Sequence, residues 1–404
     1  MKTLFYFLIL FSCLLSCKNN TSEPISNSEV QTIDFYKNYS DKLEFSSFID
    51  TIQFIPLETT ADNLIGEINR VIFSNGKYYI HATNSMQNGK LLIFDDDGKF
   101  LGKFDKRGAG PNEYLELKDF AITNEDNIVI STYRKLLLYD NLGNFIYSIP
   151  LDDLSPKEIL STQNNEILSY NFGSVYFDNK LLSLINKHGI DHMFFCRSNS
   201  EARKSDLLVN WRSLVEHDSS FYLNYPYCDT IFSITPSEII TAKYAIDYGN
   251  MKLRNFIIDK DESLNNWEDR LRKSGDYLSV ASYGISDHYV YIGSIDNNNV
   301  GYLTLYSFKS QQAISAHKLI DDIFLKGNII PLTAKQIPHN MVGNEIIWEL
   351  EPDILISGFN RYWSKLSDSD KESFKFQYPD LYHICTLLKD DDNPILLKMR
   401  IKNF

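Results

Sequence analysis

The sequence has no hydrophobic run long enough to cross a bilayer as a helix. Its longest, Leu4 to Leu15, would extend only about 18 Å in helical form, against the ~30 Å of a hydrocarbon core. It also lacks an excess of base. Lys and Arg number 40 against 53 Asp and Glu, for a net charge of −13, so a protein built to neutralise a nucleic-acid backbone is excluded. Cysteine is scarce: Cys13 and Cys17 lie at the N-terminus, and Cys196, Cys228 and Cys385 lie far apart with no C-x-x-C between them. A zinc cluster or redox dithiol has no support in that spacing. Buried free thiols are the default, and one pairing among the three stays open in an oxidising compartment.

The common signatures of catalysis are missing as well. Gly108-Ala109-Gly110-Pro111 lacks the Lys-Ser/Thr ending of a phosphate loop, and Pro111 has no N–H to offer a phosphate. Asp95-Asp96-Asp97-Gly98 lacks the glutamate that closes a calcium loop and reads as a hairpin turn. His188 and His192 are separated by Gly189 in a turn, which breaks the helical spacing of a zinc pair. Spacing nominates no Ser-His-Asp set and no paired carboxylates. No catalytic residue, metal ligand or cofactor is therefore assigned.

What is present begins at the N-terminus. Lys2, the apolar run and then Leu14-Leu15-Ser16-Cys17 form a charged start, a hydrophobic stretch and a small-residue cleavage region. This segment resembles a bacterial lipobox, which implies cleavage before Cys17, a lipid on Cys17 and membrane attachment through that lipid. Residues 1–16 are then a signal peptide. Residues 17–45, polar and without periodicity, read as the lipidated cysteine and a flexible linker. Lys18-Asn19-Asn20 leaves periplasmic or surface display open.

Residues 46–404 carry an internal repeat. Gly76-Lys77-Tyr78-Tyr79-Ile80, Leu91-Leu92-Ile93-Phe94-Asp95 and Gly98 return as Asp126-Asn127-Ile128-Val129-Ile130, Leu136-Leu137-Leu138-Tyr139-Asp140 and Gly143, with the two glycines 45 residues apart. A weaker copy ends at Gly189. Short apolar strands between Gly, Asn and Asp turns make antiparallel hairpins. One such unit cannot bury both faces, so several must pack radially. The expected fold is all-β: a six-bladed β-propeller with two short helical insertions, near Asp261–Lys273 and Trp363–Phe376. An early strand at Ile52–Leu57 is expected to pair with Ile395–Met399 and close the ring.

Four segments, Phe54–Thr60, Gly108–Tyr114, Tyr227–Phe232 and Asp392–Leu396, resemble the signatures of a large family of bacterial six-bladed β-propeller lipoproteins related in build to NHL-repeat propellers. The resemblance implies a propeller of the cell envelope, an outer-membrane lipoprotein, and leaves the chemistry undefined. Strand parity puts Arg107, Glu113 and Tyr114 in one crossing loop and Tyr133 and Arg134 in a neighbouring turn of the same face. Those residues are candidate ligand-binding groups for carboxylates or sugar rings. The competing structural reading has Gly108, Gly110 and Pro111 making a tight turn and Glu113 pairing with Arg107. Two functions are weighed: a non-catalytic module binding a glycan, peptide or partner protein, and a lactonase, lyase or hydrolase with a metal ion in the channel.

Overall fold

The computed structural model describes residues 30–84, 87–171, 180–196, 212–252, 266, 269–270, 273, 277–333, 337–338 and 340–404. In chain order the strands are β1 (Gln31–Asp34), β2 (Tyr39–Ser40), β3 (Leu43–Glu44), β4 (Ile49–Pro56), β5 (Glu67–Ser74), β6 (Lys77–Asn84), β7 (Gln87–Asp95) and β8 (Phe100–Phe104). They continue as β9 (Asp119–Ile122), β10 (Ile128–Thr132), β11 (Lys135–Tyr139), β12 (Phe145–Pro150), β13 (Pro156–Ser161), β14 (Ile167–Asn171), β15 (Lys180–Asn186) and β16 (Gly189–Cys196). Next come β17 (Leu214–His217), β18 (Ser220–Leu223), β19 (Thr230–Ile234), β20 (Ile240–Asp247), β21 (Leu278–Ile285), β22 (Tyr289–Asp296), β23 (Gly301–Ser307) and β24 (Gln312–Ala316). The last are β25 (Lys318–Asp321), β26 (Asn328–Pro331), β27 (Asn340–Val342), β28 (Glu345–Leu350) and β29 (Ile395–Ile401).

These strands build a β-propeller of seven sheets, one more than the six blades expected from the sequence; six of the sheets supply the strands that ring the axis, and the extra one is the small three-stranded sheet. Five antiparallel units are continuous in sequence: β5–β8, β9–β12, β13–β16, β17–β20 and β21–β24. A sixth, in the order β27-β28-β29-β4, joins the two ends of the chain. The seventh is three-stranded, β26-β25-β3. The undercount has a physical cause. The short Lys318–Pro331 hairpin obtains its third strand from residues 43–44, far away in sequence, and so has no repeat period to detect. The innermost strands β5, β9, β13, β17, β21 and β27 adjoin in turn around one axis.

The repeat signature is turn chemistry. Asp95 Oδ1 accepts the N–H groups of Asp97 at 3.1 Å and Lys99 at 2.8 Å, and Gly98 takes φ +84°. Asp140 Oδ1 does the same for Leu142 at 2.9 Å and Asn144 at 2.7 Å, with Gly143 at φ +82°. Asp296 caps Asn298 and Val300 in a third copy. An Asp folding back on its own backbone, followed by a residue free to adopt positive φ, sets the hairpin. At Gly98 a Cβ would also lie 2.4 Å from the carbonyl oxygen of Pro56. Gly98→Ala is therefore expected to cost more than the ~1–2 kcal/mol of left-handed backbone alone. Gly76→Ala, at φ +71° with nothing within 4 Å, is expected to cost no more than that backbone term. Chemical denaturation of the pair checks the difference.

The expected ring closure is seen. Ile395, Leu396, Leu397, Lys398 and Met399 of β29 pair with Pro56, Ile55, Phe54, Gln53 and Ile52 of β4. Two of the motifs that carried the family resemblance meet here. Asn393, 2% exposed, accepts from Ile65 N–H at 2.8 Å and donates through Nδ2 to the Glu58 carbonyl at 2.9 Å. Its own N–H reaches Thr59 Oγ1 at 2.8 Å. These motifs fasten the ring.

Residues 30–44, read from the sequence as linker, run as a strap along the outer edges. β1 adds in parallel to β20, β2 to β24 and β3 to β25, and Ile33 and Phe35 are buried beneath it. The strap covers strand edges that would otherwise invite aggregation. The insertion expected as one helix at Trp363–Phe376 is three, Pro352–Trp363, Asp368–Gln377 and Pro379–Leu387. Ser367 caps the second by accepting the Asp370 N–H, and Pro352 and Pro379 start the others. They bury Leu355, Phe359, Phe374, Leu381 and Cys385 against Trp348 of β28. Of the insertion expected at Asp261–Lys273, residues 261–265, 267–268 and 271–272 lie outside the described residues; 266, 269, 270 and 273 are helical. Cys228 donates its thiol to the Thr230 carbonyl, while Cys385 is a buried free thiol that burial pushes up to about 12. Cys17 and the side chain of Cys196 lie outside the described residues.

Candidate functional site

The inner edge of every innermost strand faces the axis, so its N–H groups have no further strand to pair with. Side chains supply the partners, each from one sheet to the next. Asp119 Oδ2 accepts the Ile159 N–H at 2.8 Å. Glu158 accepts Ser213 and Leu214 N–H, each at 2.9 Å. Asn340 Oδ1 accepts Val71 N–H at 3.0 Å, and Tyr283 donates its hydroxyl to the Ser213 carbonyl at 2.8 Å.

Two arginines join this belt. Arg70 donates from Nη1 to Asp119 Oδ2 at 2.8 Å, to the Ile159 carbonyl at 2.9 Å and to the Phe120 carbonyl. Arg212 stands 3.8 Å from the same Asp119 oxygen and 3.6 Å from Glu158. Arg70 is 5% exposed and Arg212 9%. Burial, and then the neighbouring Arg212 charge, lower the Arg70 guanidinium to about 10, against the pull of Asp119. Behind Arg70 on β6, His81 is buried with its Nε2 packed toward Gly89 and, among the described residues, without a hydrogen-bond partner.

Of these groups Arg70, Arg212, Tyr283 and Asn340 form the floor of a cavity of about 410 Å³. Its walls are the distal ends of the innermost strands, Phe73, Ile122, Ser161, Ile285 and Val342 among them, with Glu216, His217 and Asp218. The cavity therefore opens on the face where each first strand turns into its second. That rim is tied turn to turn. Asn124 donates to the Gln163 carbonyl, Asn165 to Glu125 and Gln163 to Ser219. His217 Nε2 lies 3.3 Å from Asp287, which in turn accepts from Asn344. Burial raises the Glu216 carboxyl above its usual range, opposed by Arg70.

The residues singled out from the sequence lie elsewhere. Parity placed the crossing loop and the Tyr133-Arg134 turn together, and they do meet: Lys135 Nζ donates to the carbonyls of Glu113 at 2.9 Å and Pro111 at 3.3 Å. Arg107, Glu113, Tyr114, Tyr133 and Arg134 are not in the wall of the axial cavity, and the expected Arg107–Glu113 pair does not form. Arg107 instead forks onto Asp105, with both bonds 2.8 Å, and Glu113 accepts Gly110 N–H at 2.9 Å. Tyr114 is 1% exposed and Tyr133 61%, the latter flanked by Lys118 and Arg134 over its ring. Arg134 pairs with Asp153. His192 binds Asp191 and Glu238, while His188 N–H bonds Asn186 in a turn. Among the described residues no three His, Cys, Asp or Glu side chains are grouped to hold a metal ion.

A signal for the axial set was present. Arg70, Asp119, Glu158 and Arg212 each stand within two residues of an apolar stretch that opens a sheet, at Val71-Ile72-Phe73, Phe120-Ala121-Ile122, Ile159-Leu160 and Leu214-Val215. A charge recurring at that point in four consecutive sheets marks the axis.

His81 gives a pH test. Burial lowers its imidazole to about 4, against ~6.5 in the unfolded chain. Between those values the unfolded state binds the extra proton, so stability present above pH 6.5 falls as the pH drops to about 4, by about 3 kcal/mol. His81→Gln is expected to lose this part of the slope, read from urea unfolding at pH 7 and pH 4.5.

Comparison with known proteins agrees with the architecture. No curated protein matches the chain. A chain described as an exported protein of Bacteroides fragilis NCTC 9343 superposes with a TM-score of 0.68 at 16% identity, over 92% of this chain and 99% of that one. Virginiamycin B lyase from Staphylococcus aureus reaches a TM-score of 0.38 at 13% identity over 74% and 81% of the two chains. The extracellular domain of the hybrid two-component system BT4673 from B. thetaiotaomicron gives 0.38 at 12% over 76% and 42%. At these identities the first superposition shows the fold alone. The profile of a domain of unknown function, DUF4934, matches residues 30–400, the span from the edge strap to the closing strand, and the chain belongs to that family.

Proposed function

We propose that this protein is a non-catalytic binding module of the cell envelope, held by a lipid on Cys17, whose ligand enters the axial cavity. The carrying observation is that cavity of about 410 Å³ on the propeller axis, with Arg70 and Arg212 at its floor and Glu216 in its wall. Pockets of this size hold small molecules or the end of a larger chain. The rim is cross-tied, so the site is pre-formed, which reduces the ordering cost of binding. Envelope location rests on the signal segment ahead of Cys17 and on the export description of the Bacteroides fragilis relative. No helix of the described residues is long and apolar enough to cross a membrane. A glycan, a peptide or part of an envelope protein is the expected class of ligand.

The test has two arms. Cys17→Ala is expected to move the protein from the membrane to the soluble fraction, and its continued sedimentation with membranes refutes the lipid anchor. A glycan and peptide array probed with the purified protein is expected to yield binding that Leu160→Trp, which fills the axial cavity, abolishes. Binding unaffected by Leu160→Trp but lost in Tyr133→Ala would move the site to the opposite face.

A further inference from the structure

We infer that the axial cavity recognises a carboxylate carried on a small ligand that also bears hydrogen-bond donors. This rests on the binding-module reading and names its chemistry.

A buried arginine ordinarily spends its five N–H groups on fixed acceptors. Arg212 does not. It is 9% exposed, and its nearest acidic oxygens are 3.6 and 3.8 Å away, beyond hydrogen-bond distance. Among the described residues it makes no hydrogen bond. Arg70 uses only Nη1 in the hydrogen bonds it makes to described residues, so its Nε and Nη2 are not committed there. The two carboxylates that balance these cations are already engaged. Asp119 accepts from Ile159 N–H and Arg70, and Glu158 accepts from the N–H groups of Ser213 and Leu214. The floor therefore presents several guanidinium donors from two cations that approach one Asp119 oxygen, and both arginines border the cavity. Planar, paired N–H donors in a desolvated pocket are the preferred partner of a carboxylate.

The wall sets a second condition. Glu216, Asp218 and the His217–Asp287 pair line or border the same cavity. Their acceptors repel a bare, multiply charged anion and favour a ligand whose hydroxyl or ammonium groups lie behind its carboxylate. Inorganic phosphate meets the first condition and fails the second. A hexuronic acid and a dipeptide each meet both, and the cavity volume admits either.

The experiment is isothermal titration of the full chain with D-galacturonate, D-galactose, glycyl-glycine, glycyl-glycinamide and inorganic phosphate. Binding of galacturonate or glycyl-glycine at least tenfold tighter than the partner that lacks its carboxylate is expected, and which of the two binds identifies the source. Arg212→Gln is expected to weaken that binding at least tenfold, and Arg212→Lys by less, because the charge stays and the fork is lost. If Arg212→Gln does not fold, the wild-type affinity must still fall as salt rises from 50 to 500 mM. Equal affinity for the acid and the partner that lacks its carboxylate overturns the carboxylate assignment and leaves a binding module standing. Absence of binding to both acids, tighter binding of phosphate, or carboxylate binding untouched in Arg212→Gln also overturns it.

Discussion

Deleting residues 393–404 is expected to abolish the cooperative unfolding transition. The deletion removes β29, whose Ile395, Leu396, Leu397, Met399 and Ile401 are each at most 5% exposed. At about 1.5–3 kcal/mol per buried aliphatic side chain, their loss alone matches the 5–15 kcal/mol that holds a typical domain folded. The strand also sits between β28 and β4, so its removal leaves both edges unpaired in the middle of a sheet. Asn393 leaves with it, and its part-buried partners Ile65 N–H and the Glu58 carbonyl and its buried partner Asn63 lose their bonds. A milder variant separates these contributions. Asn393→Ala keeps the strand and is expected to cost about 1–3 kcal/mol for each buried polar group left unmet. Thermal scanning calorimetry of the two variants reads both effects.

Arg70→Ala is expected to destabilise the fold by about 3–5 kcal/mol. The side chain is almost wholly inside, and Asp119 opposite it is 4% exposed. Removing the guanidinium leaves a buried carboxylate facing Arg212 only at 3.8 Å, and an uncompensated buried charge is the costly case. The carbonyls of Phe120 and Ile159 also lose their donor. The double substitution Arg70→Met with Asp119→Leu removes both charges and is expected to recover more than half of the loss. A double variant as unstable as Arg70→Ala would show that the hydrogen bonds to Phe120, Ile159 and the Ile159 N–H matter more than the charges. Urea denaturation at pH 7 decides between them.

The parts of this fold that were legible in the sequence are those set by local rules. Alternating apolar residues and Asp-x-x-Gly turns act within about ten residues, so the Gly98 and Gly143 copies stood out and gave the sheets. Ring closure was legible because apolar strands at the two ends of the chain, Ile52–Leu57 and Ile395–Met399, would otherwise leave edges open to aggregation. The seventh sheet was not, since β3 is two residues long and pairs with a strand far along the chain. The three-helix insertion was read short because Trp363 and Phe374 belong to different helices that pack on one another. The candidate site was the least legible part. Arg107 and Glu113 attract notice beside two glycines, yet each satisfies a local turn. Arg70, Asp119, Glu158 and Arg212 look like isolated charges in apolar strands, and only closure of the ring brings them within reach of one another.

Backbone hydrogen exchange of the full chain tests ring closure, on which the axial site depends, more directly than any substitution. The amides of residues 395–401 and those of residues 51–56 are expected to exchange slowly and together, only through global unfolding. Exchange of either strand at a free energy several kcal/mol below that of β10 and β22 would mean that the ends are not locked, and that the charged floor is not held by a closed ring.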